Sequence, residues 1–553
     1  MASGSKYIFV SGGVLSGLGK GVAASAIAAL LKNRGYKVNV IKCENYLNID
    51  SGTINPIEHG DPFLCEDGME ADMDLGTYER FLEQNMSREN FTTMGQIYKT
   101  VIERERNFGY DGEDVEAIPH ISNEIISRIT RVSEKDEMDF VVIELGGTAG
   151  EYQNMLYYEA CRIMKAKFKK RVLNVHVSYL PVPSHLGEPK TMPTQMSVRT
   201  LMSMGIQPDF LVLRSKATID KRRRYILGLK TSVEGDNVIL APDLNIIYKT
   251  PIVFFEQGFD RKILNYFDMP VKKGSIVKWQ SLIRKIEKPK TTKTRISIVG
   301  KYFSKAKGDY QLLDAYAALI ESLKHAAWQL EIELELNCVN CELVEEKGNR
   351  ILAGSDGIIV PIGWGSRGAE GKIKAITYAR TKKIPYLGLC YGMQLAAVEF
   401  ARNVLKFPEA HTTEIDPKTP YPIIHDIPMD ERYQVIKGNG VSMRLGAFDC
   451  IVKPGTLAFQ IYNKHDAWKN KRKNLVSERH RHRYEFNNVY RKQLEAEGFI
   501  ISGTSPDDFF VEIIELDRKI HPFFIATQAH PEYKSRPLNP HPFFLEFLKS
   551  TLV

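Results

Sequence analysis

The sequence is poor in cysteine and has no long apolar run. It contains 7 cysteines in 553 residues, an odd and thinly spread number that argues against a disulfide framework and indicates reduced thiols. No apolar run reaches the roughly 18–20 residues of a membrane-spanning helix, and the first residues lead into a strand pattern without a signal-peptide apolar segment. These absences argue against a disulfide-stapled secreted protein and a membrane protein, and they predict a cytoplasmic one.

The sequence also lacks a strong charge of one sign. Its net charge is +8, and the basic runs at 221–224 and 469–473 are local, as is typical of solvated faces. We therefore expect no nucleic-acid partner and no membrane partner. With 43% hydrophobic and 26% charged residues, the chain reads as globular, and its length exceeds the roughly 250–300 residues of a single core.

Short apolar segments, among them a strand predicted at 140–145, alternate with helical stretches in both halves of the chain. This alternation predicts parallel sheets covered by helices, so the fold class is α/β, a P-loop-type mostly parallel domain followed by a second α/β domain. A polar stretch without apolar periodicity interrupts the pattern and is interpreted as a linker. The predicted boundaries are 1–272 for the first domain, 273–294 for the linker and 295–553 for the second domain.

A glycine-rich loop at 12–21 lies between the first predicted strand and the first predicted helix. Backbone N–H groups at such a helix start can bind phosphates, and Lys20 can reach across them. The loop differs from the common P-loop because Gly21 stands where Ser or Thr would bind magnesium. Asp74 and Glu144 are carboxylates suited to Mg²⁺ and are the predicted metal ligands.

Cys390 follows an apolar strand at 384–389 and precedes Gly392. This arrangement predicts a sharp strand-to-helix turn that presents a nucleophilic thiol at a helix N-terminus. His530 and Glu532 are the predicted partners, with the imidazole taking the thiol proton and the carboxylate orienting the ring. A Cys-x-x-Cys pair, Cys338 and Cys341, has no second ligand pair and is assigned no role.

Several sequence motifs, taken in their order along the chain, resemble those of CTP synthases. The Cys390 motif in the second half of the chain resembles class I glutamine amidotransferases. The sequence motifs are 12–21, 50–53, 56–60, 74–81, 119–121, 144–148, 365–371, 442–446 and 478–487.

This resemblance implies a glutamine-dependent ligase of pyrimidine biosynthesis. ATP would phosphorylate O4 of UTP, and ammonia from glutamine would displace the phosphate to give CTP. It further implies Mg²⁺, GTP as an activator sensed near Arg367 and Gly368, CTP as a feedback inhibitor, and a homotetramer with filament formation as a further expectation.

The resemblance also implies binding residues. Those for ATP are Gly17, Leu18, Gly19, Lys20, Gly21, Val22, Lys42, Asp74 and Asp243. Those for UTP or CTP are Ser16, Glu151, Tyr152, Gln153, Lys190, Gln195 and Arg224, with Lys190 and Gln195 reaching a neighbouring subunit's nucleotide. Those for glutamine are Gly363, Tyr391, Gly392, Met393, Gln394, Glu414 and Arg483. The backbone N–H groups of Gly363 and Tyr391 should form the oxyanion hole, because charge develops on the carboxamide oxygen during attack.

A few positions depart from the family pattern. Met192 stands where a lysine is usual, Arg224 replaces lysine and Gln153 replaces an acidic residue, so we expect altered binding of the triphosphate. Ile362 replaces a glycine at the oxyanion turn. A β-branched residue does not readily take positive φ, so we expect strain at Ile362 and a changed glutaminase rate.

Two other functions remain open from the sequence. One is another glutaminase-fused P-loop amidoligase, such as a cobyrinate-type amidating enzyme, although the string at 478–487 argues against it. The other is a filament-forming or regulatory paralogue that binds nucleotides without turnover, motivated by Met192 and Ile362 and opposed by the retained Lys20 and Cys390.

Overall fold

The computed structural model of the chain describes residues 4–15, 17–185, 187–216, 219–305, 313–427, 435–437 and 441–552. The side chains of Glu58, His59, 435–437 and 441–442 are outside this description. Ser16, one of the predicted UTP-binding residues, lies outside the described residues.

Strands occur along the whole described chain. They are β1 (Lys6–Gly12), β2 (Val38–Glu44), β3 (Phe63–Leu64), β4 (Glu70–Ala71), β5 (Phe91–Thr93), β6 (Phe140–Leu145), β7 (Val172–Tyr179), β8 (Phe210–Ser215), β9 (Val238–Pro242), β10 (Lys293–Gly300), β11 (Glu333–Asn340), β12 (Gly357–Val360), β13 (Tyr386–Leu389), β14 (His411–Thr412), β15 (Pro422–Asp426), β16 (Val435–Lys437), β17 (Val441–Val452), β18 (Leu475–His482), β19 (Tyr484–Phe486), β20 (Phe499–Thr504), β21 (Val511–Leu516) and β22 (Phe524–Thr527).

Helices alternate with these strands. They are α1 (Lys20–Asn33), α2 (Pro56–His59), α3 (Asp74–Leu82), α4 (Met94–Arg106), α5 (Ser122–Lys135), α6 (Met155–Phe168), α7 (Met192–Ser203), α8 (Lys221–Thr231), α9 (Thr250–Glu256), α10 (Phe259–Tyr266), α11 (Val277–Glu287), α12 (Ala317–Leu330), α13 (Cys341–Lys347), α14 (Ala369–Lys382), α15 (Tyr391–Asn403), α16 (Leu457–Lys464), α17 (Arg491–Ala496) and α18 (Pro542–Ser550). None of the helices in the described ranges combines the length and apolarity that a membrane crossing requires.

The chain forms two compact units. The first contains residues 1–53 and 74–284, and the second contains residues 54–73 and 285–553. The predicted linker at 273–294 holds α11, within which the first unit gives way to the second. The sequence-based domain boundaries stay a prediction, and the segment 54–73 is a feature that they did not anticipate.

The first unit is built on a parallel sheet of strand order β5-β2-β6-β1-β7-β8-β9. Its central strands are continuous apolar runs because helices cover both faces of such a sheet. All six residues of β6 are buried, for example. In a parallel sheet the carboxyl ends of the strands meet at one edge, where ligands are commonly bound. The glycine loop after β1 and Glu144 near the end of β6 lie at that edge.

Helix α1 follows the glycine loop and is buried over most of its length. Its run Ala26, Ile27, Ala28 and Ala29 is at most 2% exposed. The small alanine side chains let the helix backbone lie close to its neighbours, and alanine also has the highest helix propensity. This packing fixes the helix start, where Lys20 stands.

The second unit contains a mixed sheet of order β11-β10-β12-β13-β22-β21-β20-β17-β16, with β18 paired to β17. The half from β11 to β22 is parallel and the half from β22 onward is antiparallel. Strand β13 leads directly into the turn at Cys390, and β22 leads towards His530. Neighbouring parallel strands therefore bring these two residues to the same sheet edge.

The sequence predicted these elements closely. The strand predicted at 140–145 coincides with β6, and the strand predicted at 384–389 begins two residues before β13 and ends with it. The predicted α/β class of both halves is confirmed.

Candidate active sites

The glycine loop of the first unit turns between β1 and α1. Gly17 has φ +71° and Gly19 has φ +80°, a left-handed conformation that glycine adopts without steric cost. Gly19 is the residue immediately before α1, while Leu18 is 4% exposed and anchors the loop in the core. The loop therefore opens the N-terminus of α1, where free N–H groups favour an anion.

Lys20 and Lys42 are buried cations beside this helix start. The Lys20 ammonium donates to Gly147 O at 2.6 Å, and burial and Lys42 lower the pKa of Lys20. The Lys42 ammonium, on β2, lies 2.5 Å from Asp74 Oδ2 and 2.7 Å from Glu144 Oε1. Burial opposes its charge, but these carboxylates hold the pKa of Lys42 well above its usual value.

The two predicted metal ligands converge on Gly21. A Cβ atom at Gly21 would lie 2.7 Å from Asp74 Oδ1 and 3.3 Å from Glu144 Oε2. A side chain there would displace the carboxylates, which explains why glycine replaces Ser or Thr. Burial raises the pKa of Glu144, whereas Lys42 overcomes burial and lowers the pKa of Asp74.

These carboxylates fit Mg²⁺ by their chemistry, because Mg²⁺ prefers hard oxygen ligands. Within the described ranges no cluster of three or more His, Cys, Asp or Glu side chains could hold a metal ion by itself. A magnesium ion here would therefore complete its octahedral shell with water and substrate phosphate oxygens, as is usual for this ion.

Asp243 follows β9 and accepts a hydrogen bond from the Arg214 guanidinium at 3.0 Å. Arg214, on β8, also lies near the glycine loop, since its Nη1 would be 3.9 Å from a Cβ atom at Gly19. Sequence reasoning found Asp243 through the resemblance but missed Arg214. No motif surrounds that arginine, and only the adjacency of β8 and β9 shows its link to Asp243.

The predicted UTP residues fall into two groups. In the first, Glu151 accepts from the backbone N–H and the hydroxyl of Thr148, both at 2.7 Å. This places Glu151 next to Gly147, the residue whose carbonyl binds Lys20. Tyr152 is 89% exposed and Gln153 is also exposed, so neither is packed into the unit.

The second group lies around Glu188, which pairs with both Lys190 and Arg223. Gln195 on α7 is buried and donates to Thr191 Oγ1 at 2.9 Å. Arg224 is partly exposed on α8, and Met192 at the start of α7 is 58% exposed.

The predicted nucleophile of the second unit stands on a strained turn. Cys390, between β13 and α15, has φ +53° and ψ −102°, an unusual conformation for a residue with a side chain. Its Sγ lies 3.7 Å from Arg481 O and 3.7 Å from Gln528 Nε2. A Cβ atom at Gly392 would lie only 2.0 Å from Val360 O, so this close approach requires glycine.

His530 and Glu532 form the predicted pair. His530 Nδ1 lies 2.7 Å from Glu532 Oε1, and the imidazole is fully buried. Burial alone would lower the pKa of His530, but Glu532 and Cys390 outweigh it and raise the pKa to about 10. The imidazole is thus charged at neutral pH and can stabilise a neighbouring thiolate.

The turn at Gly363 contradicts the strain expected at Ile362. The positive φ of this turn, +147°, belongs to Gly363, and Ile362 is not among the residues with positive φ in the described chain. Ile362 is instead 3% exposed and packs in the apolar core next to Leu389 and Cys390. The expectation of strain was wrong because the positive φ angles of this loop fall on glycines, first Gly363 and then Gly365, and not on Ile362.

The predicted glutamine-binding residues surround the same turn. Glu414 Oε1 accepts from Gly365 N at 2.8 Å, whereas its Oε2 is buried and has no hydrogen-bond partner among the described residues. Burial raises the pKa of Glu414, and the nearby Arg483 opposes this rise. The Tyr391 hydroxyl donates to Gly365 O at 3.1 Å. An unpaired carboxylate oxygen beside an arginine suits the amino and carboxylate groups of an amino acid.

The remaining predicted residues support α15. Met393 is fully buried, and its N–H donates to Cys390 O at 3.0 Å. Gln394 donates to Tyr484 O at 2.9 Å. These residues fix the helix N-terminus that follows the nucleophile.

Sequence reasoning missed how the segment 54–73 completes this unit. Arg481, whose carbonyl lies beside the nucleophile, forms a buried ion pair with Glu70 at 2.6 Å. Asp61 accepts from the Tyr533 hydroxyl at 3.1 Å, one residue after Glu532. No local periodicity signals such a long-range pairing, so only the three-dimensional structure could show it.

Comparisons with known proteins match both halves of the chain. A family model described as CTP synthase N-terminus matches residues 6–269, and one described as glutamine amidotransferase class-I matches residues 311–550. The chain is 44% identical over 549 residues to a CTP synthase of Caldanaerobacter subterraneus subsp. tengcongensis, covering 99% of this chain and 98% of that one. It is 45% identical over 553 residues to a CTP synthase of Rubrobacter xylanophilus, covering 100% and 96%.

Solved structures also match, and one of them is a glutaminase domain. The glutaminase domain of Trypanosoma brucei CTPS with bound acivicin is 33% identical with a TM-score of 0.41, and the match covers 47% of this chain and 93% of that one.

Proposed function

The chain belongs to the CTP synthase family, and from that membership we propose how its residues aminate UTP to CTP with ATP and glutamine. The observation that carries the proposal is the presence of two separately built sites in one chain. One has buried lysines and carboxylates at a glycine loop, and the other has a strained cysteine beside a charged histidine.

In the second unit, Cys390 Sγ attacks the carboxamide carbon of glutamine. The thiolate is stabilised by His530, which donates a proton to the leaving ammonia, and Glu532 keeps the imidazole oriented. The N–H groups of Gly363 and Tyr391 stabilise the oxyanion. Water then hydrolyses the thioester to glutamate and restores the thiol.

Glu414 and Arg483 hold the substrate of this reaction. The Oε2 atom of Glu414, which has no partner among the described residues, accepts from the glutamine amino group. Arg483 binds the glutamine carboxylate. Opposite charges at opposite ends fix the amino acid so that only its carboxamide reaches Cys390.

In the first unit, the γ-phosphoryl group of ATP is transferred to O4 of UTP. Lys20 and Lys42 neutralise phosphate charge, and the glycine loop orients the phosphates through its N–H groups. Asp74 and Glu144 would hold Mg²⁺, which neutralises phosphate charge when bound. Ammonia adds to C4 of UTP, and phosphate leaves to give CTP.

We further propose that the enzyme is a homotetramer in which Lys190 and Gln195 serve a neighbouring subunit. Support comes from Tyr152, Met155 and Met192, exposed apolar side chains on the same unit as these residues, because exposed apolar surface is commonly buried in an interface. CTP as inhibitor, GTP as activator near Arg367, and a cytoplasmic location stay predictions of the family resemblance.

The test is to follow CTP formation from UTP, ATP and Mg²⁺ with either glutamine or ammonium, with and without GTP. We expect CTP from both nitrogen sources and a GTP-dependent gain with glutamine only. No CTP from either source, in a protein that still binds UTP, would reject the proposal in favour of the non-catalytic paralogue.

A further inference from the structure

Lys372, on α14, is a fully buried lysine that the proposed mechanism leaves without a role. Its ammonium donates to Pro361 O at 2.9 Å and lies 3.5 Å from Gly363 O. It also lies 5.0 Å from the centroid of the Tyr391 ring. A buried ammonium is costly and persists where its protons are bonded. Its contacts include Gly363 and Tyr391, the two residues whose N–H groups are proposed to form the oxyanion hole.

Tyr316 binds the opposite side of the same turn. Its hydroxyl donates to Ile362 O at 3.1 Å and accepts from Lys301 N at 2.9 Å. In a trans peptide the C=O and N–H groups point in opposite directions. The hydroxyl that fixes Ile362 O therefore also fixes the direction of the Gly363 N–H.

The turn is thus held from two sides. Pro361 O and Gly363 O face the Lys372 ammonium, and Ile362 O faces the Tyr316 hydroxyl, which leaves the Gly363 N–H directed away from Tyr316. Close packing adds to this, since a Cβ atom at Gly363 would lie 2.8 Å from Lys372 Nζ. Neither contact depends on glutamine, so the oxyanion donor is orientated before the substrate binds.

We propose that Lys372 and Tyr316 are positioning residues that hold the Gly363 N–H for the oxyanion, with the Lys372 charge stabilising the negative charge that develops there. This inference rests on the proposed glutaminase function. Preorganised donors and charges in a water-excluded site stabilise a transition state without reorganisation.

The charged surroundings of Lys372 give the proposal a pH signature. The groups that face its ammonium are Cys341, Lys301, Cys390 and Glu414, and burial lowers the pKa of Lys372 to about 8. The charged form is present below that pH and is lost as pH rises through it. Glutaminase kcat should therefore fall above a pH of about 8.

The experiment compares Lys372→Met and Tyr316→Phe with the wild type, using glutamine and then ammonium. We expect glutaminase kcat to fall about 100-fold for Lys372→Met and about 10-fold for Tyr316→Phe, the scale of losing oxyanion stabilisation. KM for glutamine should stay within about 3-fold, because Glu414 and Arg483 bind the substrate. Lys372→Met should also lose the decline of kcat above a pH of about 8.

CTP formation from ammonium does not need glutamine hydrolysis, so it shows whether a variant is folded. Its rate should be unchanged in both variants. The matched control is Lys374→Met, which removes an exposed lysine of the same helix whose ammonium binds only Glu345 O in the described chain. It should behave as the wild type.

Wild-type kcat in either folded variant would overturn the inference. If Lys372→Met does not fold, Tyr316→Phe decides alone, because it removes only one hydroxyl. A wild type that lacks Cys390-dependent glutamine hydrolysis would overturn the proposed function itself, whereas a normal wild type with unaffected variants would overturn this inference only.

Discussion

The candidate phosphate site of the first unit and the candidate nucleophile site of the second lie at equivalent places, at the carboxyl ends of parallel strands in two sheets. In both, a buried strand ends at a turn that opens a helix N-terminus, β1 into α1 and β13 into α15. In the first unit the turn is a long loop whose positive φ angles fall on Val14, Gly17 and Gly19. In the second unit the turn is a single residue, Cys390, which carries a side chain in a strained conformation. 

The difference follows from what each turn has to present. A phosphate is bound by several backbone N–H groups, so the first turn is long and rich in glycine. A nucleophilic thiol needs one side-chain atom in one direction, so the second turn is short and accepts strain. The comparison shows that a turn from a strand into a helix can serve either phosphate binding or the presentation of a nucleophile. The length of the turn distinguishes the two uses. If the two sites work separately, a substitution can abolish the activity of one site and leave the activity of the other intact.

The sharpest way to break this comparison is to remove the nucleophile. Cys390→Ala should lower glutamine-dependent CTP formation by about 10⁴-fold or more, because the covalent route is lost. Ammonium-dependent formation should be unchanged, since the first unit keeps all of its residues. Both rates are measured from the absorbance change as UTP becomes CTP. Loss of both activities in a folded variant would refute the independence of the two sites.

The reciprocal change removes Lys20, the lysine proposed to bind phosphate. Lys20→Ala should lower CTP formation by at least about 100-fold with either nitrogen source, because the transferring phosphoryl group loses a buried cation. The measurement is the same assay with ammonium and with glutamine. The matched control is Lys37→Ala, an exposed lysine near the start of β2, which should have no effect. Substantial ammonium-dependent activity in Lys20→Ala would contradict the role of Lys20.

The central residues of both candidate sites could be singled out from the sequence because each stands in a local pattern. Lys20 follows a glycine loop, and Cys390 stands between an apolar strand and a glycine. His530 and Glu532 follow a strand and are only two residues apart. Local patterns of this kind also place the strands, which is why β6 and β13 lie where they were predicted.

Residues that act through distant contacts could not be predicted in this way. Arg214, Tyr316 and Lys372 stand in no recognisable string, and their importance depends on which strands and helices become neighbours. The same applies to Glu70, which pairs with Arg481 across 411 positions of sequence. Ile362 shows the opposite failure. Its difference from the family pattern suggested backbone strain, but the positive φ lies on the neighbouring Gly363.

A smaller effect is expected for a residue of the second unit that binds the substrate but takes no part in the chemical step. Glu414→Gln should raise KM for glutamine about 10- to 100-fold, because a charge-assisted hydrogen bond is worth about 1.5–3 kcal/mol. The value of kcat should change little if Glu414 only binds the amino group. Steady-state glutaminase kinetics measure both constants. Glu409→Gln, an exposed residue nearby in sequence, is the control, and a kcat loss without a KM change would contradict the binding role.

The smallest expected effect concerns the charge of His530. The phosphate site of the first unit uses buried lysines and has no such histidine. The pKa of His530 is raised to about 10, whereas an unfolded histidine has a pKa of about 6.5. A raised pKa means that protonation stabilises the folded state. That stabilisation is complete below a pH of about 6.5 and is lost as pH rises to about 10.

Glu532→Gln removes the first of the two charges that raise this pKa, so it should reduce the stabilisation most at low pH. We expect the melting temperature of the variant to lie about 2–4 °C below that of the wild type near pH 6.5, for a change of about 1 kcal/mol. The gap should close as pH approaches 10, where the wild-type imidazole also becomes neutral. Thermal unfolding between pH 6.5 and 10 measures it, with Glu497→Gln, an exposed residue, as control. A difference in melting temperature that is independent of pH would mean that Glu532 stabilises the fold without holding a charged imidazole. The nucleophile site would then share less with the phosphate site, because it would not depend on a buried charge.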